Sequence, residues 1–81
     1  MKILKLLTER ECKERLYKTI VAKQKNKIEY LPKGDISISL LNRLRFLNGE
    51  PWKRVIHFKV GKFKFLGEIN PYTGDIISIG G

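Results

Sequence analysis

Three kinds of side chain in this sequence are suited to chemistry: a thiol, an imidazole, and a surplus of ammonium and guanidinium groups. Cys12 is the only cysteine and His57 the only histidine. A thiol nucleophile needs an imidazole beside it, and nothing in the spacing brings this pair together. Cys12 falls instead with Leu16 and Ile20 on one helical face, where it reads as a small buried apolar residue. A lone cysteine excludes an internal disulfide framework and falls short of the ligand set of a structural zinc site. No Ser-His-Asp set can be argued from spacing. Gly61 and Gly67 lie in or beside strands rather than between a strand and a helix, so there is no phosphate loop. Glu68 and Asp75 flank a turn, where carboxylates are commonplace. The expectation is a non-enzymatic protein with no catalytic residues, no metal and no cofactor.

The cations are the more pointed signal. Lysine and arginine number 17 against 8 acids, a net charge of +9. Such an excess suits acidic partners, nucleic acid or an anionic surface. Richness in lysine, isoleucine and glutamate also fits a heat-adapted composition. Two clusters stand out. Lys23, Lys25 and Lys27 close the first helix, where positive charge either complements the helix dipole or clamps a phosphate. Lys53, His57, Lys59, Lys62 and Lys64 belong to a hairpin, with Lys59 opposite Lys64 and Lys62 at the tip. Opposed like charges weaken a sheet. The hairpin cluster therefore either contacts phosphates of a nucleic acid or protects an edge strand from aggregation.

The elements that position these groups can be read in turn. Thr8 and Glu11 form a capping box, and Leu7 can staple onto Cys12. Cys12, Leu16 and Ile20, with Tyr17 and Val21, then make one apolar face over about 16 residues. Glu11 with Arg15 and Glu14 with Lys18 sit four apart, the acid on the N-terminal side, which suits helix surface pairs. Ile28-Glu29-Tyr30-Leu31 suggests a short strand, and Pro32-Lys33-Gly34-Asp35 a turn. Residues 36–48 carry two patterns. Ile36, Ile38 and Leu40 alternate with serines, and Leu44 and Phe46 alternate with Arg43 and Arg45, as in a strand. Leu40, Leu41, Leu44 and Leu47 fall at helical spacing, with Asn48-Gly49 as a helix stop. The second pattern predicts a short helix over Ser39–Leu47.

The last third alternates clearly. Ile56, Phe58 and Val60 share one face, and Phe63, Phe65 and Ile69 share the next. Gly61-Lys62 suits a type II′ hairpin. That register pairs Val60 with Phe63, Phe58 with Phe65 and Ile56 with Gly67. It turns Lys53, Val55, His57 and Lys59 outward, together with Lys62, Lys64, Leu66 and Glu68. Asn70-Pro71-Tyr72-Thr73-Gly74 is a second turn, and Asp75 to Ile79 a third strand. Trp52, at a strand start after Glu50-Pro51, reads as a core-edge anchor. The whole is one α+β domain: an N-terminal helix, or two, on a three- to four-stranded antiparallel meander. The 81 residues allow a single domain. The apolar start is too short for a signal-peptide core, and no stretch approaches a membrane span, so a cytoplasmic protein is expected.

The stretch from Arg54 to Ile77, with Asn70-Pro71-Tyr72-Thr73-Gly74-Asp75-Ile76-Ile77 as its last hairpin, resembles a PepSY-type domain. The resemblance covers about 25 residues. It implies a helix followed by a β-meander and a non-enzymatic binding or inhibitory module, of the kind proposed to act on proteases. It carries over no site residue. PepSY domains are mostly exported or membrane-attached, whereas this chain is expected, from its N-terminal stretch, to carry no export signal. Lys62-Phe63-Lys64-Phe65 is similar to the basic-aromatic strand of an RNA-recognition motif, but its phenylalanines take the core face, while stacking rings must face outward. Three partners follow as expectations. One is a protein met through the hairpin or a free sheet edge. The second is a nucleic acid met through Lys59, Lys62 and Lys64, with Lys23, Lys25 and Lys27 if the helix end lies near. The third is a second copy of the chain covering Val55 and Leu66.

Overall fold

Helix α1 spans Glu9–Asn26 and is followed by β1 (Ile36–Leu47), β2 (Glu50–Val60), β3 (Phe63–Ile69) and β4 (Ile76–Gly80). The computed structural model describes residues 5–26 and 31–80. The strands form one four-stranded antiparallel sheet in the order β1-β2-β3-β4. The expected strand at 28–31 and Lys27 fall wholly or mostly outside the described residues.

α1 starts as its capping residues dictate. Glu11 N donates to Thr8 Oγ1 at 3.2 Å, and Thr8 N donates back to Glu11 Oε1 at 3.3 Å. Arg10 Nε meets Glu14 Oε1 one turn on, at 3.3 Å. The helix buries Cys12, Leu16 and Ile20 against Ile56, Phe58, Val60 and Ile69, with Leu7, Leu31, Ile36, Ile38 and Phe65 packed around them. Phe58 and Phe65 stack across β2 and β3, their ring centroids 5.4 Å apart. Where α1 crosses β3 the strand carries Gly67. A β-carbon there would lie 2.7 Å from Leu16 Cδ1, so only glycine admits the helix this closely. The N-terminal segment is pinned at the same end by Leu7 N donating to Pro71 O at 2.8 Å.

Residues 36–47 are a strand, which corrects the short helix expected over Ser39–Leu47. Two local features explain the difference. Between the pairs Ile38–Phe58 and Asn42–Ile56, β1 advances four residues while β2 advances two. That bulge breaks the alternation and creates an accidental helical spacing among the leucines. Asn48 (φ 52°) and Gly49 (φ 79°) are both left-handed and join Leu47 to Glu50. Asn-Gly is therefore not a helix stop here but a type I′ hairpin loop. Without β1, the backbone groups along one edge of β2 would also lose their partners.

The second hairpin has the predicted register: Val60 with Phe63, Phe58 with Phe65, Ile56 with Gly67, Lys59 with Lys64. Gly61 is left-handed at φ 61° and Lys62 is not, as a II′ turn requires. At the third turn Asn70 Oδ1 accepts from Tyr72 N (2.8 Å) and Thr73 N (3.1 Å), and Gly74 takes φ 80°.

Cys12 is fully buried and unbonded to another cysteine. Burial pushes its thiol above the ordinary 9.0, and the nearby charge of Arg54 offsets this only in part. Stability tied to the neutral thiol is thus present below pH 9.0 and lost as pH rises through the raised folded value. Cys12 is expected to resist a thiol reagent at pH 8 in the native protein and to react at the free-thiol rate in denaturant. Rapid native labelling would show that α1 does not stay docked.

Candidate functional site

All of α1 lies on one face of the sheet, so the other face is uncovered among the described residues. Strand alternation decides what it carries. Four rows can be followed from the Asn48-Gly49 end to the Gly61-Lys62 end. Arg45 faces Lys53; Arg43, Val55, Glu68 and Ser78 form the next row; His57 and Leu66 follow; Ser37, Lys59 and Lys64 close the face. Within these four rows the cations Arg43, Arg45, Lys53, Lys59 and Lys64 stand against one acid, Glu68; Glu50, opposite Leu47, lies beyond them at the hairpin end. A hollow of ≈ 450 Å³ opens in this face, with Val55 and Leu66 as apolar lining and Arg43, Arg45 and His57 as its polar groups, beside Asn42.

Glu68 is not free. Its carboxylate pairs with Lys53 Nζ and accepts from Ser78 Oγ. These contacts, Lys53 first, hold the Glu68 carboxyl below the ordinary carboxylate range. Lys53 is consequently neutralised, and its ammonium also lies 4.5 Å from the centre of the Trp52 ring. Arg43, Arg45, Lys59 and Lys64 are exposed.

The sequence-based candidates divide accordingly. Lys53, His57, Lys59 and Lys64 share the open face. Lys62 occupies the hairpin tip beside them. Lys23 and Lys25 belong to the last turn of α1, in the layer on the other side of the sheet. The two lysine clusters therefore do not make one patch. Arg43 and Arg45 are additions that the helix reading of 39–47 concealed, although their alternation with Leu44 and Phe46 was a usable signal. Cys12 and His57 occupy opposite sides of the sheet, one inside the core and one on the open face, so they cannot act together. No cluster of His, Cys, Asp or Glu suited to a metal occurs among the described residues, and no helix among them is long and apolar enough to cross a membrane.

One buried charge lies on the helix side. Arg54 is 9% exposed, directly under the N-terminal turns of α1. Its Nη1 donates to Asn42 Oδ1 at 2.7 Å, and Glu9 Oε1 stands 3.8 Å away. Arg54 Nε and Asn42 Nδ2 are buried without a partner. Arg54 is missing from the sequence-based core, although it has the parity of Ile56, Phe58 and Val60, a signal that could have placed it inside.

The β1–β2 hairpin runs past the rest of the sheet. β3 pairs with β2 only as far as Arg54, opposite Leu44, so residues 45–53 form a two-stranded ribbon on a molecule 44 × 21 × 19 Å in extent. Phe46, Leu47 and Trp52 are exposed on it. Trp52 lies at a second bulge: Arg45 pairs with Lys53 and Phe46 with Pro51, which leaves Trp52 without an opposite residue. It is a half-open ring on a projecting ribbon rather than an anchor of the core edge. No family model matches the chain, and no curated protein or solved structure does.

Proposed function

We propose that this chain is a non-enzymatic binding domain that holds nucleic acid on the uncovered basic face of its sheet, in the cytoplasm. The observation that carries the reading is that Arg43, Arg45, Lys59 and Lys64 converge on one open face whose central acid, Glu68, is already paired with Lys53, while Glu50 stands apart at the end of the first hairpin. Four exposed cations without an ion pair among the described residues, of which Arg45 alone lies within the field of Glu68, form an electrostatic footprint for phosphates. A second copy laid over Val55 and Leu66 would bring these cations against themselves, which disfavours self-association through this face.

Affinity for an oligonucleotide should fall as salt rises. If four phosphates of a single strand are neutralised, the log–log slope is roughly −3. The double charge reversal Lys59→Glu with Lys64→Glu should weaken binding at physiological salt by about tenfold or more and flatten that slope. Binding seen only at low salt and indifferent to the double reversal would discard the reading. Lys23→Glu with Lys25→Glu, on the helix layer, is the matched control.

A second reading has its own support. Among the described residues β1 has a hydrogen-bonded strand neighbour on one side only, so its outer edge over residues 42–47 could take an added strand from a protein partner. Strand addition would serve the protein-binding or inhibitory module that the PepSY resemblance implies. Such binding would change little with salt, which separates it from the first.

A further inference from the structure

We infer that the nucleic acid is single-stranded and that Trp52 is a stacking platform for one of its bases. This rests on the reading of the basic face as the binding surface. Trp52 occupies a bulge, and bulges re-aim a side chain out of the regular alternation. Its ring is held from behind. Ser78 on β4 binds Glu68 on β3, Glu68 holds Lys53 on β2, and the Lys53 ammonium lies 4.5 Å from the ring centre. One side of the indole therefore carries a fixed cation. Trp52 remains 44% exposed as a residue, enough to offer a surface to a planar group.

The platform stands at the start of the cationic face. Arg45 is opposite Lys53, Arg43 is one row further, and Lys59 with Lys64 closes the lane. Same-face residues along a strand recur about every 6.7 Å, so the lane from Lys53 to Lys59 is about 20 Å long. That step suits the repeat of an extended strand's phosphates, and the length suits a few nucleotides, the scale of other single-strand sites. A duplex keeps its bases stacked inside and offers the ring nothing. An unpaired strand offers a base to Trp52 while its phosphates follow the arginines.

Trp52 is the only tryptophan, so its fluorescence reports on this site alone. Adding a short single-stranded oligonucleotide at physiological salt is expected to quench it. Labelled-oligonucleotide anisotropy should show the single strand bound more tightly than a duplex of the same sequence. Trp52→Leu should weaken single-strand binding about tenfold, within the range of lost base–aromatic stacking. Trp52→Phe should recover part of that loss, and Phe63→Leu, an exposed aromatic on the opposite face, should lose nothing. All three should melt near the wild-type temperature, because these rings are exposed. Equal or tighter duplex binding, or an unchanged affinity in Trp52→Leu, overturns this inference and leaves the basic-face reading standing. No binding of either nucleic acid removes both. A blue shift on anionic lipid vesicles with no response to oligonucleotide also overturns it, and assigns the ribbon to a lipid surface.

Discussion

Gly67→Ala is expected to lower the unfolding free energy by about 1–3 kcal/mol, the usual penalty of overpacking a core. Gly67→Val should lose more. The sign is what makes this informative. Glycine inside a strand is ordinarily a liability, and alanine would gain about 0.5–1 kcal/mol there. Here a β-carbon would meet Leu16 at Cδ1 (2.7 Å), Cδ2 (3.1 Å) and Cγ (3.4 Å) together. Turning one methyl aside cannot clear all three, and Leu16 has no solvent to move into, being fully buried. Thermal melts should show about 4–8 °C lost per kcal/mol in a domain of this size. Leu16→Ala with Gly67→Ala should be less damaging than the sum of the two single changes, because the clash needs both side chains. Strict additivity, or a stabilised Gly67→Ala, would show that α1 does not rest on β3 at this point. Gly74 makes a useful contrast. A β-carbon there would also strike a side chain, Arg15 at 2.2 Å, but Arg15 is exposed and can swing away. The penalty at Gly74 comes instead from its φ of 80°.

Asn42→Leu is expected to cost about 1–3 kcal/mol, and Arg54→Met far less. The two residues share one hydrogen bond of 2.7 Å, yet they are not equivalent. Removing Asn42 leaves an arginine that is 9% exposed with Glu9 as its remaining ion partner among the described residues, and that partner is itself 64% exposed. Removing Arg54 deletes the charge that was expensive to bury and leaves a neutral amide. The unpartnered Arg54 Nε shows that the burial is incompletely compensated already. Urea midpoints of the two variants, compared at constant slope, decide the matter. If Arg54→Met is the more damaging change, the arginine stem and its contacts under α1 outweigh the buried charge.

Much of this architecture was legible in the sequence, and the failures have identifiable causes. The capping box at Thr8, the spacing of Cys12, Leu16 and Ile20, and the Gly61-Lys62 turn are short-range signals, each with one physical solution. They placed the helix, the second hairpin and its register correctly. Residues 39–47 were misread because a bulge imitates a helical period, and because Asn-Gly ends helices as readily as it turns hairpins. The neighbouring strand decided between them, and that information is not local. The candidate site was half visible for the same reason. Lys53, His57, Lys59 and Lys64 followed from alternation in β2 and β3. Arg43 and Arg45 joined them only once β1 was a strand. The role of Glu68 in tying up Lys53 could not be read from spacing, since it depends on which strand lies beside which.

The uneven length of the strands also determines how the backbone breathes. Amides of Ile56 to Val60 sit between two neighbours under the helix, so their exchange with solvent deuterium requires the whole domain to open. Among the described residues the ribbon from 45 to 53 has no third strand and no helix above it, and it can open and close while the rest stays shut. Its protection should therefore be low and insensitive to substitutions such as Gly67→Ala, whereas protection in the centre of β2 should fall in step with global stability. A rigid base carrying a more readily opening arm can adjust Trp52 and Arg45 to a ligand without loosening Arg43, Lys59 and Lys64 below them.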